Sequence, residues 1–111
     1  MTKKQVTQLS FEVVGAAIQV HKTLGPGLLE SVYEKCMKHQ LEKNGHRVVQ
    51  QIPVPVCYDE LIIDTELRLD LLVDDTIIVE LKAVEHVLPV HEAQLLTYMK
   101  LLKKPQGLLI N

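Results

Sequence analysis

The spacing of apolar residues in the first part of the chain predicts two helices. Between Thr7 and Leu24 they recur every three or four residues, as on one side of an amphipathic helix. We expect this helix to end at Gly25-Pro26-Gly27, because proline cannot continue the hydrogen-bond ladder and glycine readily adopts the left-handed conformation that follows helices. The same spacing predicts a second helix from Leu28 to Lys43, which Asn44-Gly45 ends.

The middle of the chain has the pattern of β-strands. Three stretches rich in apolar and β-branched residues are separated by turn signals, at Val48–Tyr58, Leu61–Val73 and Ile77–Ala83. Pro53 and Pro55 each lack the N–H group that a sheet requires, so the first stretch is expected at an edge or at a bulge. The order of these stretches predicts a three-stranded antiparallel meander.

Pro89 is well placed to begin a third helix, because the first helical residue needs no hydrogen-bonding N–H group. We expect this helix to run to about Lys103 and a short strand to follow from Leu108 to Asn111. The helix residues expected to face the core are Leu95, Leu96, Met99 and Leu102. The full pattern predicts an α+β fold, similar to an α/β sandwich, in a single domain over residues 1–111.

The composition narrows the class of protein. A chain of 111 residues with 47% apolar and 23% charged residues supports one hydrophobic core. A net charge of −2 disfavours a protein that coats nucleic acid, but it permits an enzyme whose site carboxylates are neutralised by a divalent metal. With no apolar run of about 18 residues and no signal-peptide pattern, we expect a cytoplasmic protein that does not enter a membrane.

Three charged residues stand inside the second and third predicted strands. Asp70, Glu80 and Lys82 are surrounded by apolar neighbours in the stretch from Glu66 to Val84. Burying an unpaired charge costs several kcal/mol, so charges in such positions are normally paired or bound to a metal. This stretch is therefore the strongest indication of function in the sequence.

The alternation of strand residues predicts which of these charges meet. The residues expected on the core face are Leu67, Leu69, Leu71 and Val73 in one strand, and Ile77, Val79 and Leu81 in the next. If both faces meet the same core, Leu71 opposes Val79 and Asp70 opposes Glu80. That register requires a turn with an odd number of residues, most simply Asp74-Asp75-Thr76.

Two carboxylates that face each other across adjacent strands repel, and a divalent cation relieves the repulsion. Mg²⁺ or Mn²⁺ suits the pair Asp70 and Glu80, because hard cations prefer oxygen ligands. Lys82 shares the face of Glu80, where an ammonium group can position an attacking water and stabilise charge on a phosphoryl oxygen. The alternative is an ion-pair group on a solvated sheet face, without a metal.

Further residues resemble a known group of proteins. The segment from Gly27 to Tyr33 is similar to the signature of the GxxExxY proteins, and Asp70 with Glu80 and Lys82 resembles the D…ExK core of the PD-(D/E)xK nuclease superfamily. Gln94 to Tyr98 resembles the QxxxY motif of some of these nucleases. The resemblance spans roughly Leu9 to Asn111 and departs from the motif at Leu69, which replaces its proline.

The resemblance implies a restriction-endonuclease-like fold and a role for each motif residue. Asp70 and Glu80 would bind Mg²⁺ or Mn²⁺, and Lys82 would act on the nucleophilic water. Glu30, on the second helix, would be a further ligand or a water-mediated contact. Gln94 and Tyr98, one turn apart on the third helix, would approach the substrate phosphate or orient Lys82. Tyr98 equally suits core packing with a hydrogen-bonded hydroxyl.

Two functions are consistent with these residues. The first is a metal-dependent nuclease that hydrolyses phosphodiester bonds in DNA or RNA. The second is a catalytically weak or inactive nuclease-like module that binds nucleic acid or protein, which the mildly acidic balance and the shortage of stacking aromatic residues favour. The resemblance implies a short tail after the final strand, where this chain stops, so we expect part of the substrate surface to be missing or to come from a second copy of the chain or from another protein partner.

Overall fold

The sheet places two helices on one face and a third helix on the other. The computed structural model describes all residues from 1 to 111. The helices are α1 (Lys3–Leu24), α2 (Glu30–Lys43) and α3 (Pro89–Leu102), and the strands are β1 (Val48–Pro53), β2 (Val56–Tyr58), β3 (Leu61–Ile63), β4 (Arg68–Val73), β5 (Ile77–Leu81) and β6 (Gln106–Ile110). None of these helices is both long enough and apolar enough to span a bilayer.

Helix α1 begins four residues before the predicted start because its first turn is capped. The Thr2 hydroxyl accepts a hydrogen bond from the Gln5 N–H at 3.1 Å, and the Gln5 side chain accepts one from the Thr2 N–H at 2.8 Å. The helix ends at Leu24 as predicted, where the Gly25 N–H donates to the carbonyl of His21. The capping pair satisfies donors that would otherwise be left unpaired at the start of the helix.

A four-stranded mixed sheet forms the centre of the fold, with the strand order β1-β4-β5-β6. The first three of these strands are antiparallel neighbours, and β6 lies parallel to β5 after the crossover through α3. The predicted α+β class is confirmed, and the three helices with a mixed sheet are consistent with a restriction-endonuclease-like fold.

The predicted antiparallel meander is confirmed in β1, β4 and β5, but each of its first two predicted strands is divided. Strands β2 and β3 form a separate two-stranded hairpin between β1 and β4. The two prolines at the end of β1 remove ladder donors, so the pairing cannot continue. At the base of the hairpin, the Val54 N–H donates to the Leu67 carbonyl at 2.9 Å and the Thr65 hydroxyl donates to the Val54 carbonyl at 2.9 Å.

Apolar side chains are buried on both faces of the sheet, which corrects the prediction of a single core face. The larger cluster joins α1 and α2 to Leu71, Val73, Ile77, Val79 and Leu81. The second cluster lies under α3 and consists of Val54, Leu69, Leu72, Ile78, Leu95 and Tyr98. Leu69 therefore packs on the opposite face from the one predicted, and Leu96, which was expected in the core, is 64% exposed.

Candidate metal and catalytic site

The register of β4 and β5 is the one predicted from the apolar pattern. Leu71 pairs with Val79, and the three residues 74–76 form the turn between the strands. Asp74 and Asp75 have positive φ angles of 50° and 53°, a conformation that Asp tolerates better than most residues. The next positions beyond the Leu71–Val79 pair are Asp70 and Glu80, so the odd-length turn brings the two carboxylates to the same place.

The two carboxylates bind main-chain groups of each other's strand. The Asp70 carboxylate accepts a hydrogen bond from the Leu81 N–H at 2.7 Å, and the Glu80 carboxylate accepts one from the Asp70 N–H at 3.4 Å. Beyond the Leu71–Val79 pair, these side-chain hydrogen bonds replace the main-chain hydrogen bonds between β4 and β5. This arrangement fixes both carboxylates at one end of the hairpin.

Glu80 is the most strongly perturbed acid of the site. Its residue is only 5% exposed, whereas Asp70 is half-buried. Burial, followed by the negative charge of Asp70, raises the pKa of Glu80 from 4.5 to about 8, and nearby Lys82 offsets only part of this increase. Asp70 and Glu80 thus form a pair in which a second negative charge is costly near neutral pH.

Lys82 does not neutralise this pair by direct contact. No salt bridge joins Lys82 to Asp70 or Glu80; the four salt bridges of the molecule involve other residues. The Lys82 N–H donates to the carbonyl of Ile110 at 2.9 Å, and the half-buried side chain lines a cavity of about 530 Å³. The alternative of a tight ion-pair group is therefore not what the structure contains.

A third carboxylate, Glu34, lies beside the pair and was missed by the sequence reasoning. It is 9% exposed, and its two oxygens accept hydrogen bonds from the side chains of Gln50 at 2.8 Å and Gln51 at 2.7 Å. Burial is the main cause of the increase in its pKa, and the charge of Asp70 adds to it. The signal was available, because Glu34 lies three residues before Met37, a buried position of α2.

Strand β1 bends where it passes this group. The pairing of β1 with β4 runs from Val48 to Gln50 and resumes at Ile52, which leaves out Gln51 and the facing Asp70. Gln51 has a φ angle of 52°, in the left-handed region that most residues avoid. The interruption frees the Gln51 side chain to hold Glu34 next to Asp70.

Glu30 and Tyr33 each form hydrogen bonds with main-chain groups of other segments of the chain. The Glu30 carboxylate accepts a hydrogen bond from the Ala83 N–H at 2.7 Å, immediately after β5. The Tyr33 hydroxyl donates to the Gly25 carbonyl and accepts from the Leu28 N–H at 3.2 Å. Glu30 makes no hydrogen bond to Asp70 or Glu80, so among the three glutamates of α2 it is Glu34 that lies against the carboxylate pair.

Helix α3 brings Tyr98 towards the carboxylates from the other side of the sheet. Tyr98 is 2% exposed and belongs to the core cluster under α3, which agrees with the packing role considered for it. Burial raises the pKa of its hydroxyl, and the charges of Glu80 and Asp70 raise it further, so the ring lies close to both acids. Gln94, one turn earlier, is half-buried.

The donor chemistry of these residues fits a hard divalent cation. No three His, Cys, Asp or Glu side chains are arranged closely enough to hold a metal ion among themselves. Mg²⁺ is commonly held by only one or two carboxylates together with waters and substrate phosphates. Asp70 and Glu80 meet that requirement as a pair, and a cation would offset both the burial and the repulsion from Asp70 that raise the pKa of Glu80.

A comparison with family models gives a match over most of the chain. The family model of the PD-(D/E)XK nuclease superfamily matches residues 7–111, which is all but the first six residues of the chain. No curated protein and no solved structure matches the chain.

Proposed function

Because the chain belongs to the PD-(D/E)XK nuclease superfamily, we propose that it is a metal-dependent nuclease that hydrolyses phosphodiester bonds in DNA or RNA. The observation that carries the proposal is the pair Asp70 and Glu80, fixed by main-chain hydrogen bonds and unpaired with any cation of the protein. In this proposal residues 1–111 form a single nuclease-like domain.

Asp70 and Glu80 are the proposed ligands of Mg²⁺ or Mn²⁺, and Glu34 supplies a third carboxylate beside them. When bound, the cation polarises the scissile phosphate and lowers the pKa of a bound water. Glu34 is already oriented by two side-chain amides, so it can accept a hydrogen bond from a water that Asp70 also contacts. A direct metal contact from Glu30 stays a prediction; the structure supports a role in holding the main chain after Lys82.

Lys82 is the proposed cationic group of the reaction. Its ammonium group is free of salt bridges, so it remains available to orient the attacking water and to stabilise charge on a phosphoryl oxygen. Gln94 is proposed to contact the substrate phosphate from the first half of α3. Because Tyr98 is buried, we propose that it positions the carboxylates, and its predicted substrate contact stays a prediction.

A nuclease assay with matched variants tests this function. Single-stranded and duplex DNA and RNA are incubated with Mg²⁺, with Mn²⁺ and with EDTA. We expect metal-dependent cleavage that falls at least about a hundredfold in Asp70→Asn and Lys82→Ala, as for the loss of other groups that stabilise transition-state charge. Glu92→Gln, an exposed change on α3, is the control and should cleave like the wild-type chain. Equal cleavage by all variants would indicate a contaminating nuclease.

Metal binding gives a second readout that does not depend on cleavage. Calorimetric titration with Mn²⁺ should show a site in the wild-type chain that weakens in both Asp70→Asn and Glu80→Gln but persists in Lys82→Ala. Metal binding without cleavage of any substrate would support the alternative, an inactive nuclease-like module. Absence of metal binding as well as cleavage would refute the proposed site.

A further inference from the structure

The β2–β3 hairpin leaves apolar side chains exposed on a projecting arm. We define the arm as residues 55–66; β2 and β3 pair with each other and make at most marginal contacts with the other helices and strands. The exposed apolar residues of the arm are Tyr58, Leu61, Ile62 and Ile63, of which Ile62 is 70% exposed. A patch of this kind on an unpaired sheet edge is typical of an interaction surface.

A second exposed apolar surface lies on the outer side of α1. The helix buries Leu9, Val13, Ala16 and Val20 against the sheet, and it exposes Phe11, Val14 and Ile18 on the opposite side. The last three residues are spaced at i, i+3 and i+7, so they form one continuous stripe. We call them the helix stripe; Phe11 is 74% exposed.

The arm and the helix stripe carry opposite charge. The arm has four carboxylates and neither Lys nor Arg, whereas the rest of the chain has twelve Lys and Arg against ten Asp and Glu. Lys4 lies seven residues before Phe11 and Lys22 four residues after Ile18, which places a lysine at each end of the helix stripe. Glu60 and Asp64 precede and follow β3, in which Leu61 and Ile63 lie on one face of the hairpin and Ile62 lies on the other.

The lengths of the two apolar surfaces are also comparable. From Phe11 to Ile18 the helix rises about 10 Å, at about 1.5 Å per residue. From Leu61 to Ile63 the strand extends about 7 Å, at about 3.3 Å per residue. Lys4 and Lys22 are about 27 Å apart along the helix, whereas Glu60 and Asp64 are about 13 Å apart along the strand, so the long lysine side chains must reach inwards for charge pairing to accompany the apolar contact.

We propose that the arm of one copy of this chain docks on the helix stripe of a second copy, in a reciprocal two-fold dimer. Two-fold symmetry makes each copy donate its arm and receive its partner's arm, so one interface covers all four exposed apolar surfaces. Two arms pairing edge to edge about Ile62 would instead place Glu60 opposite Asp64, where like charges repel. The carboxylates of the arm would likewise repel the phosphates of a nucleic acid.

Sedimentation velocity of the full chain tests the dimer. We expect a species of twice the 12.6 kDa chain mass, which Ile62→Glu on the arm and Phe11→Glu on the helix stripe each convert to monomer. Leu96→Glu is the matched control, because Leu96 is an equally exposed apolar residue on α3, outside both surfaces. Thermal unfolding of each variant verifies that it is folded. A wild-type chain that stays monomeric at its solubility limit, or equal disruption by Leu96→Glu, would overturn the proposal.

A charge exchange identifies the two surfaces as each other's partners. The arm variant Glu60→Lys with Asp64→Lys and the helix variant Lys4→Glu with Lys22→Glu each place like charges in both contacts of their own dimer. We expect each to raise the dissociation constant at least about tenfold. An equimolar mixture of the two variants makes both contacts complementary again and should restore the dimer. A mixture that remains monomeric would show that these surfaces do not meet.

Discussion

The raised pKa of Glu80 predicts that the metal-free protein loses stability as the pH rises. Between pH 4.5 and about 8 the folded chain keeps a proton on Glu80 that the unfolded chain has released. The free energy of unfolding must therefore fall with increasing pH across this window, and the loss is complete above about pH 8. Glu34, whose pKa is also raised, contributes a loss of the same sign.

The magnitude has an upper limit set by the pKa. The difference between 4.5 and about 8 corresponds to at most about 5 kcal/mol, since one pH unit is equivalent to about 1.4 kcal/mol. Burial is the larger cause of this difference and repulsion from half-buried Asp70 the smaller; with the effective dielectric constant of about 20 that suits buried sites, we expect a loss nearer to roughly 2 kcal/mol. Glu80→Gln removes the titrating group and keeps an oxygen that can accept from the Asp70 N–H.

Urea unfolding of chelator-treated protein, followed from pH 5 to pH 9, measures this effect. The wild-type chain should lose stability relative to Glu80→Gln as the pH rises, and the histidines cancel because both proteins contain them. Glu92→Gln serves as the control and should follow the wild-type curve. If Glu80→Gln and the wild-type chain have parallel pH profiles, Glu80 does not titrate in this window and the account of the site fails.

Four further substitutions test the packing and the turns that position the site, each by urea unfolding. Gly107→Ala would place a methyl carbon 2.7 Å from a side-chain carbon of Leu95 and should destabilise the fold by about 1–3 kcal/mol. Gly15→Ala lies in open space on α1 and should stabilise the fold by about 0.5–1 kcal/mol. If Gly107→Ala were the more stable of the two variants, the packing of α3 on β6 would be contradicted. Tyr33→Phe removes a hydroxyl that bonds two main-chain groups between α1 and α2 and should cost about 1 kcal/mol, so an unchanged midpoint would mean that this contact is dispensable. Asp74→Ala removes the acceptor of the Arg47 N–H at the β4–β5 turn and should cost about 1–2 kcal/mol; no loss would show that the turn does not need it.

The apolar pattern was sufficient to predict the hairpin that carries the site. Side chains on β4 and β5 point alternately to the two faces of the sheet, and the turn Asp74-Asp75-Thr76 has an odd number of residues. The register that aligns Asp70 with Glu80 could therefore be predicted from the sequence alone. Local signals also located all three helices, because proline and glycine act on the main chain wherever they occur. The matched superfamily is the one that the motifs in the sequence resemble.

Leu69 and Leu96 show where the pattern fails. Both were assigned to a core face by spacing, but Leu69 packs under α3 and Leu96 faces solvent. Spacing specifies which residues share a side of an element and does not specify what covers that side. The bend of β1 at Gln51 and the docking of α3 decide this, and both depend on contacts between distant parts of the chain.

The sequence by itself determined the register of β4 with β5 and the meeting of Asp70 with Glu80, because these depend on alternation and turn length within one short segment. Only the tertiary structure decided that Glu34 lies beside Asp70 and that the Glu30 carboxylate accepts a hydrogen bond from the Ala83 N–H. The two glutamates lie one turn apart on α2 and are alike in local sequence terms. The packing of α2 against β1 distinguishes them, because it brings the amides of Gln50 and Gln51 to Glu34.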